Sequence, residues 1–142
     1  MTLTIYTDGG SLNNPGQAAI AYTLYLDTTL LKTFSRAIGV ATNNVAEYTA
    51  LIEALSATKD ILSQKPASNI QVFSDSQLMV NQINGLYKVK EASLRDLLMK
   101  IRLLEGELHI PITYTHVLRE KNTLTDSLVK KELYGSRKAD GQ

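Results

Sequence analysis

The stretch from Thr2 to Gly16, TLTIYTDGGSLNNPG, limits what this chain can fold into more than any other part of it. Leu3 and Ile5 alternate with Thr2 and Thr4, the two-residue period of a β-strand with one buried face. That strand runs into Asp8. Gly9 and Gly10 follow at once, where the backbone is expected to leave the strand, and Asn13-Asn14-Pro15-Gly16 reads as a turn. The expectation is a carboxylate at the end of an apolar strand, where burial gains nothing for a charge. Either loop amides hold Asp8 by hydrogen bonds or a cation does.

The residues that follow supply a sheet and its covering helices. Ala18 to Leu26 is a long β-prone run; Asp27-Thr28-Thr29 breaks it and Leu30 to Ile38 resumes it, with Gly39 expected as its end. With the first segment these form a three-stranded antiparallel meander. Residues 44 to 59 then switch to helical spacing, with Val45, Tyr48, Leu51, Ile52 and Leu55 on one face. Asn44 is placed to cap that helix and Glu47 lies at capping-box spacing. Yet Glu47 also lies only about 40° from Leu51 on a helical wheel, on the packing side. Ile70 to Phe73 reads as a short buried strand ending at Ser74-Asp75-Ser76. Asp75 is therefore a second strand-end carboxylate, or the N-cap of the helix Gln77 to Ile83.

Gly85 stops that helix, Leu94 to Leu104 marks another, and Ile110 to Val117 is a fifth strand with Pro111 near its start. Residues 122 to 134 form the last helix, with Asn122 as cap and Asp126 at the rim of its apolar arc. The order β-β-β-α-β-α-α-β-α predicts one α/β domain over residues 1–134. Its core is a mixed five-stranded sheet, a meander extended by parallel strands, with helices on both faces. Residues 135–142 turn small, charged and unpatterned and are expected to form a flexible tail.

Composition narrows the chemistry. The 142 residues include no cysteine and only two histidines, which removes thiol catalysis, disulfides and zinc–thiolate sites. No window approaches the roughly 18 apolar residues of a membrane span, and the N-terminus lacks a signal-peptide layout. A cytoplasmic protein with no membrane partner is the expectation. Net charge is +1, but if four of the 14 acids are committed to cations, the 15 Lys and Arg outnumber the rest.

Asp8, Glu47, Asp75 and Asp126 share one placement, the polar edge of an apolar element beside Gly, Asn or Ser. Four such acids cannot gather without counter-charge, since like carboxylates raise one another's pKa. Hard cations with oxygen ligands answer that need, so Mg²⁺ or Mn²⁺ fits better than zinc. Two such ions about 4 Å apart suit in-line attack on a phosphodiester.

Four segments in order carry a family resemblance: Thr7-Asp8-Gly9-Gly10-Ser11-x-x-Asn14-Pro15-Gly16, Thr42-Asn43-Asn44-x-x-Glu47, Ser74-Asp75-Ser76-Gln77, and Arg119-Glu120-x-Asn122-x-x-x-Asp126. Together they resemble type 1 ribonuclease H, in a compact prokaryotic form with no separate hybrid-binding domain. The resemblance implies endonucleolytic cutting of the RNA strand of RNA–DNA hybrids, leaving 5′-phosphate and 3′-hydroxyl ends. It implies that Asp8 bridges two Mg²⁺ ions, with Mn²⁺ as a substitute. Asp126 would complete the ion that activates water, and Glu47 and Asp75 the ion at the leaving oxygen. Asn14, Asn43, Asn44 and Gln77 match residues that read bases and 2′-hydroxyls in the minor groove, and Thr42 matches a phosphate ligand.

His116 lies ten residues before Asp126, as does a mobile catalytic histidine of some members, but no glycine loosens its surroundings. It is either that group or a strand-end histidine. Thr125 stands where the family usually has a small apolar residue, and a looser last helix is expected from it. A monomer is expected. The rival readings are a non-catalytic hybrid- or duplex-binding module of the same fold, and a nuclease that also cuts double-stranded RNA.

Overall fold

The computed structural model describes residues 1–140, with side chains as far as Gly135. Three antiparallel strands, β1 (Thr2–Ser11), β2 (Gly16–Leu26) and β3 (Thr29–Ala41), are followed by α1 (Asn43–Leu62). Then come β4 (Asn69–Ser74), α2 (Gln77–Ile83), α3 (Ala92–Leu108), β5 (Ile112–His116), a 3-10 turn at Arg119–Lys121 and α4 (Thr123–Asp140). The sheet order is β3-β2-β1-β4-β5, with β4 and β5 parallel to β1. This is the mixed five-stranded sheet that the element order predicts.

The larger core lies between the sheet and α1 and α3. Leu3, Ile5, Leu24, Ile70 and Val72 meet Tyr48, Leu51, Leu55, Leu94 and Ile101 there. On the other face Val129 of α4 packs on Ala19 and Ala21, while Ala18 and Ile20 pack on Ala46 and Ala50 of α1. Burial on both faces is why Ala18 to Tyr22 reads as an unbroken apolar run instead of an alternating one. Among the described residues no helix is long and apolar enough to cross a membrane.

Several local expectations are corrected. β1 does not end at Asp8: it continues through Gly9 and Gly10 to Ser11, paired with β2. Gly39, at φ +79°, does not close β3 but sits at a register shift where Ile38 is the extra residue, and the strand runs on to Ala41. The cap of α1 is Thr42, not Asn44, its hydroxyl accepting from the Val45 N–H at 3.2 Å. Ser76, not Asp75, caps α2, accepting from Met79 N. α4 passes through Gly135 to Asp140 instead of stopping at 134. A single helical glycine costs about 1 kcal/mol against alanine, which does not end a helix followed by good helix formers and no proline. Of the expected tail, residues 141–142 lie outside the described residues, as do the side chains of 136–140.

Candidate active site

The register of the parallel strands assembles the first two carboxylates. β4 pairs with β1 only from Thr2↔Asn69 to Thr7↔Ser74. Asp8 and Asp75 are each the next residue, so they stand side by side where the parallel ladder ends. Glu47 comes from α1, one turn beyond its cap, and Gly9 sets how close it comes. A Cβ at Gly9 would lie 2.4 Å from the Ala46 carbonyl carbon and 2.7 Å from Glu47 N. Only a residue without a side chain lets the helix backbone rest on the strand there. That contact turns Glu47 inward.

Asp8, Glu47 and Asp75 each offer a carboxylate oxygen within 4.8 Å of the others, close enough to share one cation. Their other bonds are few. Gly9 N–H donates to Asp8 Oδ1 at 3.0 Å. Glu47 Oε1 and Asp75 Oδ2 are buried with no hydrogen-bond partner. Arg119 Nε stands 3.5 Å from Asp75 Oδ2, in ion-pair range but short of hydrogen-bond geometry. Burial pushes the Asp8 carboxyl up to about 8, helped by the charges of Asp75 and Asp126. Glu47 is raised well above the usual carboxylate range by burial, then by Asp8 and Asp75. Unbonded buried oxygens on Glu47 and Asp75, beside Asp8 and Glu47 carboxyls that resist ionisation, are what a set of cation ligands looks like without its counter-charge.

The fourth acid is oriented differently. Asp126, in the first turn of α4, lines the same cleft of about 380 Å³, but its Oδ2 pairs with Lys130 Nζ at 3.0 Å. Asn122 anchors that turn, its Nδ2 donating to the Thr7 carbonyl at 2.9 Å. Thr125, fully buried, donates its hydroxyl to Asn122 O at 3.1 Å and also meets Asn122 Oδ1. The expectation that Thr125 loosens this helix is therefore reversed: its hydroxyl helps hold the helix to the strand bearing Asp8. At the cleft's outer edge Asn14 Oδ1 accepts from Asn43 N at 3.0 Å, and Asn43 Oδ1 accepts from Ser11 N and Oγ.

The RNase H family model matches residues 1–134. The chain belongs to the RNase H family. It is 38% identical over 130 residues to Ribonuclease HI of Halobacterium salinarum, covering 90% of this chain and 62% of that protein. A bifunctional protein of Mycobacterium tuberculosis is equally similar, but there the match spans only 34% of the relative. This RNase H chain thus corresponds to a third to under two thirds of those relatives' lengths. Among solved structures, LC11-RNase H1 in complex with an RNA/DNA hybrid superposes with TM-score 0.89 at 37% identity, covering 94% of this chain and 98% of that one. RNase H1 from Halobacterium salinarum superposes at 0.85 and 34% identity, covering 93% and 97%.

Of the residues singled out in the sequence, Asp8, Glu47 and Asp75 gather in this RNase H cleft. Asp126, Asn43 and Asn44 also line it. Thr42 Oγ1 is engaged as the α1 cap, Asn14 is exposed in the turn beside Asn43, and Gln77 is exposed at the first turn of α2. His116 ends β5 opposite Ser74 and is not among the residues lining the cleft. Three features carried no assigned role in the sequence: the close approach at Gly9, the tether from Asn122, and Arg119 beside Asp75. Arg119 was visible only as a member of the fourth motif, and Asn122 as that and as the expected cap of the last helix.

Proposed function

We propose that this chain is a divalent-metal-dependent endonuclease that cuts the RNA strand of RNA–DNA hybrids, leaving 5′-phosphate and 3′-hydroxyl ends. The observation that carries this reading is the set of three convergent carboxylates, two with unbonded buried oxygens, on an RNase H fold. Asp8, Glu47, Asp75 and Asp126 would hold two Mg²⁺ ions, with Mn²⁺ as a substitute. Such ions supply a water nucleophile at neutral pH and neutralise charge on the leaving oxygen.

The chain's own residues do the rest. Asp8, grouped with Glu47 and Asp75 and close enough to feel the charge of Asp126, is the ligand that would be shared. Gly9 N–H fixes one of its oxygens, so the other faces the cleft. Asp126, now paired with Lys130, would exchange that partner for a cation in the cleft. Asn14 and Asn43 spend their amide oxygens on each other's loops, which leaves Nδ2 donors to meet 2′-hydroxyls; Asn44 and Gln77 extend that neutral surface. Thr42 receives a phosphate at the α1 N-terminus. His116, outside the cleft lining, contributes only modestly to turnover.

The test is Mg²⁺-dependent cleavage of a matched hybrid, an RNA duplex and a DNA duplex of one sequence. Cleavage of the hybrid and none of the DNA duplex is expected; comparable cutting of all-DNA duplex refutes the reading. The RNA duplex arm separates a strict hybrid nuclease from one that also accepts double-stranded RNA. A protein that binds hybrid but never cuts it returns the reading to a binding module.

A further inference from the structure

Asp8 of β1 and Asp75, the residue after β4, continue a longer pattern on one face of the sheet. Alternate residues of a strand share a face, so Asp8, Tyr6 and Thr4 project together, as do Asp75, Phe73 and Gln71. Register aligns these into cross-strand rows. Phe73, Tyr6 and Thr23 form the row next to the carboxylates, and Gln71, Thr4 and Tyr25 form the row after it. α4 covers Ala19 and Ala21 on this face, and beyond its first turn the sheet opens into a groove of about 580 Å³.

The groove combines π-faces with neutral polar groups. Tyr6 and Phe73 stack with centroids 5.3 Å apart and planes at 26°, and Tyr25 meets Tyr6 edge-on at 5.9 Å. All three rings are only half-buried. Around them lie the hydroxyls of Thr4 and Thr28 and the exposed amide of Gln71. One acid, Asp27, and one base, Lys121, line it, so the groove carries no net charge, and Asp27 Oδ1 is already engaged by the Thr2 N–H. That composition suits a flat, uncharged, hydrogen-bonding ring better than a phosphate or an aliphatic side chain. The first row of the groove is the one next to the carboxylates, about 7 Å from them along the strands, and Asn122 and Thr125 line the groove at the first turn of α4.

We propose that this groove is a binding subsite for unpaired nucleobases of a single strand leaving the hybrid, stacked against Tyr6 and Phe73. The proposal rests on the hybrid-nuclease reading for the origin of that strand and on the sheet face itself for the site. Stacking on aromatic side chains tolerates any base, so the subsite acts on substrate ends without imposing sequence preference.

The experiment compares a blunt hybrid with hybrids bearing a short overhang at either end of either strand. At least one overhang should lower KM about fivefold or more with kcat unchanged, the signature of added uniform binding. Tyr6→Leu and Phe73→Leu should return that KM to the blunt value while leaving blunt-hybrid kinetics intact. Gln71→Glu, an exposed change that spares the core, should also reduce the gain. Equal KM for all substrates, or a gain that survives Gln71→Glu and either leucine variant, overturns the subsite. Independently of cleavage, a short single-stranded RNA should shift the ring resonances of Tyr6 and Phe73 in NMR spectra, and unmoved resonances refute the site. Failure of the blunt hybrid to be cut while those resonances move refutes the nuclease reading alone.

Discussion

Replacing Asp8 by asparagine separates a cation ligand from a structural carboxylate. Asp8 is 5% exposed and its carboxyl is pushed from 3.8 to about 8, chiefly by burial and then by Asp75 and Asp126. A folded-state pKa above the unfolded one means that the folded protein binds more protons between those values. The contribution of Asp8 is therefore intact below about pH 4 and is lost as pH rises toward 8. A shift of that size corresponds to a ceiling on the order of 6 kcal/mol. Asp8 and Glu47 share the repulsion and titrate as a pair, so a gain of about 2 kcal/mol, well under that ceiling, is expected from Asp8→Asn at pH 9. In a chain of this length that raises the melting temperature by about 6 °C. Asn keeps an oxygen to accept from Gly9 N–H, so the local bond at 3.0 Å survives. Wild type and variant should melt together near pH 4 and diverge as pH rises, all without metal. Added Mg²⁺ should then stabilise wild type by ligand linkage and leave the variant unmoved and unable to cut hybrid. Melts from pH 4 to 9, with and without Mg²⁺, beside a cleavage assay, are the measurement. A variant less stable than wild type at pH 9 without metal, or one that still cuts, refutes the argument.

Other perturbations follow from the same geometry. Gly9→Ala forces a Cβ to within 2.4 Å of the α1 backbone, and overpacking of this kind costs about 1–3 kcal/mol; because the helix must lift, Mg²⁺ should stabilise this variant less than wild type in thermal melts. Asn122→Ala removes the bond to the Thr7 carbonyl, for a loss of about 1–3 kcal/mol in denaturant unfolding. Its kcat should fall as well, since Asp126 loses its anchor. His116→Ala should lower kcat by about tenfold, below the 10²–10⁴ range of a committed proton-transfer group; a loss matching that of Asp8→Asn would place His116 in the chemistry.

The sequence by itself determined the kinds of element and the candidate ligands. Period-two alternation in Thr2–Ile5 and helical spacing in Val45–Leu55 are local signals, and local sterics act on them wherever the chain is found. Acids beside Gly, Asn and Ser could be listed as candidates for the same reason. What a single position meant was decided by tertiary contacts. Gly9 looks like a strand breaker, yet the strand continues through it and its missing Cβ makes room for α1. Glu47 and Asp75 have capping spacing, but Thr42 and Ser76 take the caps and leave both carboxylates to the cleft. Thr125 looks like a packing defect and is instead hydrogen-bonded inside the turn that carries Asp126. Strand register, which no local pattern encodes, sets Asp8 beside Asp75 and Tyr6 beside Phe73. These outcomes depend on how closely separate elements approach, a quantity set by packing of side chains distant in sequence.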